Sequence, residues 1–284
     1  MKFLKLENNI CLKISCNGLT KEGFMNQRER REYLLKRLIE ENSQYIDTKI
    51  SDNDEEQKCL LRALFNVRPP KEVDSEFLRI QDEYLKNELE EKGITELSDL
   101  KPLKDRIYLW QGDITTLATD AIVNAANSAM LGCFIPNHRC IDNAIHTYAG
   151  IQLRLSCNKL MTFQGKEEET GKAKITPAFN LPSKYIIHTV GPIVYGELTE
   201  RDRKILKSCY YSCLKVAENE GLKSIAFCCI STGEFHFPNE EAAKIAVDTV
   251  YEYRKENNSE TEVVFNVFKD RDYEIYRRLL GQTE

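Results

Sequence analysis

The chain has 284 residues, of which 42% are hydrophobic, so it can bury a sizeable core in one large domain or two modest ones. The net charge of −5 argues against a general nucleic-acid-binding protein, which usually has a basic balance. No apolar run approaches the ~20 residues that cross a bilayer. Residues 1–15 alternate charged and apolar side chains, unlike a signal peptide. We therefore expect a cytoplasmic protein without membrane or nucleic-acid partners.

The first part of the chain is predicted to be helical, because apolar residues recur there at helical spacing. The predicted helices cover 26–42, 55–67 and a segment from the capping residues Asp74 and Ser75 to Gly93. Their apolar stripes are expected to pack against the following domain. We therefore interpret residues 1–104 as a helical N-terminal extension.

From residue 105 the pattern changes to apolar strands that alternate with helices. The predicted strands are 106–111, 121–124, 185–189, 224–230 and 262–268, and the predicted helices are 141–160, 202–220, 239–256 and 272–280. Such a pattern indicates an α/β domain, over residues 105–284, whose sheet is covered by helices on both faces. Ligands of such sheets bind on the loops at the carboxyl ends of the strands.

One of these loops carries Cys133, His138 and Cys140, three soft or borderline ligands within eight residues. Zinc favours sulfur and imidazole nitrogen, and three protein ligands leave the open position of a catalytic site. The spacing alone is equally compatible with two incidental cysteines and a surface histidine. Most of the other cysteines are interpreted as small buried hydrophobes of a reducing compartment.

The loop segments QGDIT (111–115), NAANS (124–128), LGCFIPNHRCIDNAIH (131–146) and STGEFHFP (231–238) follow one another in a characteristic order. Together with Thr176 and residues 180–182 and 188–192, they resemble the macrodomain family, from about residue 106 to the end. The resemblance implies a three-layer α/β/α fold with a mixed central sheet, and a binding site for ADP-ribose.

The segment after the NAANS motif departs from the usual macrodomain, which has a run of glycines there. Its Cys-His-Cys pattern is similar to that of the zinc-containing, MacroD-like ADP-ribosyl hydrolases found beside sirtuin-type ADP-ribosyltransferases. Those proteins also have a helical N-terminal extension, so the resemblance extends to nearly the whole chain. It implies a zinc-dependent hydrolase that removes mono-ADP-ribose from modified proteins, with one zinc per chain beside the distal ribose.

The resemblance also implies partners, which are an ADP-ribosylated protein as substrate and a sirtuin-type transferase as functional opponent. Lipoyl-carrier proteins are among the candidate substrates. The residues leave open whether the anomeric carbon or an acyl carbonyl is attacked. Three other hypotheses stay open: a non-catalytic reader of ADP-ribose, an O-acetyl-ADP-ribose deacetylase, and a structural zinc with a fourth ligand from the helices.

At the adenine end the resemblance assigns Asp113, with help from the backbone N–H of Ile114, and Phe268 as the stacking ring. A carboxylate acceptor suits an exocyclic amino group, although Asp113 equally suits a turn cap and Phe268 a core position. The diphosphate is assigned to the loop of Ser231, Thr232, Gly233, Glu234 and Phe235, where small residues let backbone N–H groups converge on an anion. Within this loop, Phe235 is expected to line the distal ribose.

The distal ribose is assigned to Asn127, and Asp142 is the acidic residue that orients the attacking species. Both are expected to be catalytic. The alternatives are an Asx turn for Asn127 and a helix cap for Asp142. His146 and His188 stand in helix and strand segments, and we interpret both as hydrogen-bonded structural histidines.

Overall fold

The computed structural model describes residues 25–282, with the side chain of residue 282 left out. Residues 1–15, which we do not expect to be a signal peptide, lie outside the described residues. Among the residues that are described, no helix combines the length and the apolar character needed to span a membrane.

The N-terminal helices form as predicted, and each begins at a polar cap. They are α1 (Gln27–Glu40), α2 (Asp54–Val67) and α3 (Ser75–Lys92). Asn26, Asn53 and Asp74 accept hydrogen bonds from backbone N–H groups of the first turns, which would otherwise lack partners. The buried faces of the three helices form a hydrophobic cluster of their own, which also includes Ile151 from the following region. The division at residue 104 stays a prediction.

The second region contains a six-stranded sheet and a short parallel pair. The pair is β1 (Thr95–Glu96) with β3 (Leu117–Ala118). The sheet strands are β2 (Ile107–Gln111), β4 (Ala121–Ala126), β5 (Ala173–Pro177), β6 (Tyr185–Val190), β7 (Ser224–Phe227) and β8 (Glu262–Val267). Their order is β2-β8-β7-β4-β6-β5, and every neighbouring pair is parallel except β5 with β6. The predicted mixed α/β sheet is therefore confirmed.

Helices flank the sheet, as expected of a chain that alternates strands and helices. They are α4 (Ile141–Ala149), α5 (Ile151–Gln164), α6 (Glu200–Asn219), α7 (Asn239–Asn257) and α8 (Asp270–Gln282). The main hydrophobic core lies between these helices and the strands, and Ile122, Ile187 and Val264 at its centre are fully buried. The predicted helix 141–160 is wrong, because two helices replace it.

Gly150 separates these two helices. Its φ is +92°, a conformation that L side chains rarely adopt, and a Cβ there would lie 2.6 Å from Oε1 of Gln152. The backbone N–H of Ile151 donates to Oε1 of Gln81 in α3 at 3.0 Å. Gln81 of the N-terminal helices thus stabilises the break between α4 and α5. The local pattern of residues 141–160 could not reveal this contact, because Gln81 lies outside that segment.

The edge strand β5 was not predicted. Its sequence AKITP contains a lysine and a proline, and only Thr176 is buried. An edge strand needs partners on one side only and tolerates proline, so its sequence lacks the apolar character of the central strands.

Candidate functional site

The loops that the sequence indicates meet at one edge of the sheet, where β2, β8, β7 and β4 have their carboxyl ends. These four parallel strands follow one another in that order. Asp113 follows β2, Phe268 follows β8, residues 231–238 follow β7, and Asn127 follows β4. The predicted binding segments therefore form one row, at the edge where open α/β sheets bind ligands.

The side chain of Asp113 contacts two other residues of the protein, Thr115 and Lys92. Its Oδ1 accepts hydrogen bonds from the backbone N–H of Thr115 at 3.0 Å and from the Thr115 hydroxyl at 2.6 Å. It thereby caps the short 3-10 helix Ile114–Thr116. Its Oδ2 lies 3.3 Å from Nζ of Lys92 at the end of α3. Asp113 therefore caps this turn, as the alternative interpretation expected. Its side chain remains 38% exposed to solvent, so a ligand can still reach it.

Phe268 is exposed to 76%, directly after β8, so its ring is not part of the core. The side-chain amide of Gln111, at the end of the neighbouring strand β2, donates to the Phe268 carbonyl at 3.5 Å. By contrast, the side chain of Ile114 is buried in the main core, so only its backbone is left for a ligand. An exposed ring next to Asp113 has the freedom that stacking on a base requires.

The loop after β7 turns at Ser231, a non-glycine residue with φ of +65°. Its Oγ is buried and has no hydrogen-bond partner among the residues described. Gly191, just after β6, lies so close that a Cβ there would be 2.0 Å from this Oγ. The Phe237 N–H donates to the Ser231 carbonyl at 2.9 Å and closes the loop, which leaves Gly233 and Glu234 exposed.

Thr232 and Phe235 connect this loop to its surroundings. The Thr232 hydroxyl donates to the Cys229 carbonyl at 3.0 Å, and the Val194 N–H donates to the Phe235 carbonyl at 2.9 Å. These contacts fix the loop from both sides. A tight turn with an unpartnered hydroxyl is suited to hold an anion through hydrogen bonds rather than through a lysine or arginine.

Cys133, His138 and Cys140 come together in the loop between β4 and α4. Sγ of Cys133 lies 3.6 Å from Nδ1 of His138, and the donor atoms of the three residues all lie within 4.8 Å of one another. Sγ of Cys140 also accepts a hydrogen bond from the Asn143 N–H at 3.4 Å and caps α4. The three predicted ligands therefore form one cluster. We call residues 131–140 the metal loop.

Asp142, in the first turn of α4, is 5% exposed. Its Oδ1 accepts a hydrogen bond from Nδ2 of Asn124 at 2.8 Å, and its Oδ2 accepts one from Nδ2 of Asn127 at 3.4 Å. Burial raises the pKa of the Asp142 carboxyl to about 6, against the opposing effects of Asn124 and the charge of Arg154. The two residues expected to be catalytic, Asn127 and Asp142, are thus in direct contact.

Asn124 is the first residue of the NAANS motif, but the sequence analysis assigned it no role in the site. It is fully buried in β4, and its Nδ2 lies 2.8 Å from Asp142 and 3.1 Å from Nδ1 of His188. A buried amide in an otherwise apolar central strand needs a hydrogen-bond partner. This requirement is the feature of the sequence that could have indicated Asn124 as a site residue. Its contact with Asp142 depends on how β4 and α4 pack.

The two buried histidines differ. His188 is hydrogen-bonded as predicted, since its Nδ1 contacts Asn124 and its Nε2 lies 2.9 Å from the Thr176 hydroxyl. The prediction for His146 is wrong, because neither ring nitrogen has a hydrogen-bond partner among the described residues. Its position one turn after Asp142 places Nε2 3.6 Å from that carboxylate, beyond hydrogen-bond distance.

The chain is similar to bacterial proteins over most of its length. A family model described as Macro domain matches residues 123–246. A protein named Protein-ADP-ribose hydrolase from Treponema medium is 56% identical over 261 residues, which are 90% of this chain and 100% of that protein. A protein of the same name from Staphylococcus aureus (strain MRSA252) is 50% identical over 263 residues, which are 92% of this chain and 98% of that protein.

A fungal protein and a solved structure extend this similarity. The protein from Fusarium oxysporum f. sp. cubense is named Probable bifunctional ADP-ribose hydrolase/ADP-ribosyltransferase, and it is 42% identical over 85% of this chain and 44% of that protein. The crystal structure of the Trypanosoma brucei macrodomain in complex with ADP-ribose has a TM-score of 0.61 and 28% identity, covering 77% of this chain and 95% of that one.

Proposed function

Because this chain belongs to the macro domain family, we propose that it is a hydrolase that removes ADP-ribose from modified proteins. The relatives that match nine-tenths of the chain carry that activity in their names. The observation that carries the proposal is the cluster of Cys133, His138 and Cys140 beside the hydrogen-bonded pair of Asn127 and Asp142. It supports a metal centre next to a carboxylate, at the sheet edge where we propose that the ligand binds.

The order of the strands supports one orientation of ADP-ribose. The β2 and β8 ends carry Asp113 and Phe268, the β7 end carries the loop 231–235, and the β4 end carries Asn127. Adenine, diphosphate and distal ribose follow one another in the same sequence along the ligand. A ligand laid across this edge, with adenine at β2 and β8, brings its distal ribose to the metal loop.

The metal loop fits a zinc ion. In tetrahedral zinc sites a sulfur ligand at about 2.3 Å and a nitrogen ligand at about 2.1 Å are separated by about 3.6 Å. The distance between Sγ of Cys133 and Nδ1 of His138 is 3.6 Å. These two residues and Cys140 would hold the zinc ion, which would supply Lewis-acid polarisation of an oxygen at the reacting end of the ligand.

The protein side chains hold and orient the reacting groups. Nδ2 of Asn127 donates to the Gly132 carbonyl at 3.1 Å and to Asp142, which fixes the amide. Oδ1 of Asn127 has no hydrogen-bond partner among the described residues, so we assign it to a hydroxyl of the distal ribose. The Asp142 carboxylate, held by two amides, accepts a hydrogen bond from the attacking water and orients it.

The partner assignments are part of the proposal. The Fusarium protein is named for both a hydrolase and an ADP-ribosyltransferase, which supports an ADP-ribosyltransferase as the functional opponent. That the opponent is of the sirtuin type, and that lipoyl-carrier proteins are substrates, are predictions from the family resemblance. Hydrolysis of O-acetyl-ADP-ribose at the same site is the alternative activity.

The three candidate ligands argue against two hypotheses, a non-catalytic reader of ADP-ribose and a structural zinc. A reader of ADP-ribose does not need a metal centre with an open position. A structural zinc needs a fourth ligand, and within residues 25–282 no further histidine, cysteine or acidic side chain joins the cluster of Cys133, His138 and Cys140. Cys59 of α2 is close, with Sγ 3.2 Å from Nδ2 of Asn137, but it does not belong to the cluster.

The test compares the parent protein with Cys140→Ser, which replaces the sulfur ligand but keeps an acceptor for the Asn143 N–H at the start of α4. We expect about one zinc per parent chain and release of ADP-ribose from modified protein. Cys140→Ser should lose release but keep its melting temperature and ADP-ribose binding. Joint loss of stability, binding and release indicates a structural zinc, and a parent without turnover indicates a reader.

A further inference from the structure

The N-terminal helix α2 lies against the metal loop through Asn66, which is 1% exposed. Oδ1 of Asn66 accepts a hydrogen bond from the backbone N–H of Asn137 at 2.9 Å. Its Nδ2 donates to the Thr147 hydroxyl on α4, also at 2.9 Å. Both polar groups of this buried amide are therefore used to join α2 to the metal loop and to the helix that follows it.

The hydrogen bond from Asn137 to Asn66 is made at a residue of the metal loop with an unusual backbone conformation. Asn137 has φ of +54°, in the left-handed region that glycine adopts readily and that asparagine adopts less often. The next residue is His138, so the conformation of Asn137 determines where the imidazole is placed. A hydrogen bond from its N–H to a buried amide stabilises a backbone conformation that is otherwise unfavourable.

Arg62, one turn earlier on α2, reaches the same loop. Its Nη2 donates to the His138 carbonyl at 3.0 Å and to Oδ1 of Asn143 at 2.9 Å. Asn143 in turn donates from its side-chain amide to the Ile135 carbonyl at 3.0 Å, and its backbone N–H donates to Sγ of Cys140. The Asn143 side-chain amide also donates to the Cys133 carbonyl at 3.5 Å, so the network that starts at Arg62 reaches all three predicted ligands.

We propose that Arg62 and Asn66 are positioning residues for the metal loop, so that α2 preorganises Cys133, His138 and Cys140 for the ion. This inference rests on the proposed function. In a loop without these contacts, metal binding would have to order the backbone as well as the ligands, at a cost in conformational entropy. Helix α2 would therefore set the geometry of the metal loop, although it contributes no ligand to it.

The test uses full-length Arg62→Ala and Asn66→Ala with two matched controls. Gln57 is a buried amide on the same helix that contacts Arg31 and the Ser51 carbonyl, and Arg30 is a half-buried arginine that contacts Glu83. Gln57→Ala and Arg30→Ala therefore remove similar side chains without touching the metal loop. Zinc affinity is measured by competition with a chromogenic chelator, and stability by the melting temperature of metal-free protein.

We expect Arg62→Ala and Asn66→Ala each to weaken zinc binding about ten-fold or more, as loss of outer contacts to metal ligands does. The two controls should keep the parent affinity, whatever their melting temperatures. In metal-free protein, hydrogen exchange of peptides that cover 131–140 should be faster in Arg62→Ala and Asn66→Ala than in the controls.

Unchanged zinc affinity and unchanged exchange in Asn66→Ala and Arg62→Ala would overturn the inference. Equal weakening of zinc binding by Gln57→Ala would also overturn it, because the effect would then follow general stability. A parent protein that retains no zinc refutes the proposed metal centre instead. In that case the exchange of metal-free protein still decides whether α2 orders the loop.

Discussion

The Glu234 carboxylate lies 3.6 Å from Nε2 of His138, and so connects the loop after β7 to the metal loop. The other ring nitrogen, Nδ1, faces Sγ of Cys133. The imidazole is thus placed between a thiol on one side and a carboxylate on the other. At 3.6 Å this carboxylate is beyond hydrogen-bond distance, but it lies on the side of the ring where histidines that bind metals commonly have a carboxylate partner.

The first prediction concerns this pair. Glu234→Gln removes the charge that faces His138 and should weaken zinc binding about three- to ten-fold, since 67% of the Glu234 side chain is exposed and solvent screens it. Chelator competition measures the change. Glu240→Gln is the control, because Glu240 pairs with Arg278 at the start of α7, away from the metal loop. Equal affinities of Glu234→Gln and the parent would remove Glu234 from the metal centre.

The second prediction separates ligand binding from turn capping at Asp113. Asp113→Ala should weaken ADP-ribose binding by roughly 1–3 kcal/mol, the effect of losing a hydrogen bond to a partly buried polar group. Thr115→Val is the control, since it removes the hydroxyl bonded to Asp113 but keeps the carboxylate. Titration calorimetry of both variants decides between the roles. Similar losses in both would indicate that Asp113 only shapes the turn.

The third prediction follows from His188, whose pKa is lowered to about 3 by complete burial. Unfolded histidine has a pKa of about 6.5, so between these values the unfolded chain binds more protons. The contribution of His188 to stability is therefore complete above pH ~6.5 and is lost progressively as the pH falls towards 3. Urea unfolding of metal-free protein at pH 7.5 and pH 5.0 should show this loss.

His188→Gln should make the fall in stability between these two conditions smaller by on the order of 2 kcal/mol. Part of the fall should remain in the variant, because burial also lowers the pKa of His146. Metal-free protein is required, since protons compete with zinc for its ligands. An identical fall in His188→Gln and the parent would show that His188 does not account for the acid sensitivity.

Local patterns in the sequence were sufficient to predict most helices and central strands. Apolar spacing located α1, α2 and α3 to within two residues, and caps such as Asp74 marked their starts. The close spacing of Cys133, His138 and Cys140, together with the family resemblance of this loop, likewise predicted a cluster that the structure contains. These features depend on residues that are neighbours in the chain, where periodicity and capping act directly.

Contacts between residues that are distant in the chain could be found only in the tertiary structure. The break at Gly150 involves Gln81, 70 residues before Ile151, and the metal loop is held by Asn66, 71 residues before Asn137. Hydrogen bonds between such residues exist only because packing brings α2 and α3 against the second region. No local pattern encodes that packing, so the sequence determined the candidate ligands, whereas the fold determined what holds them in place.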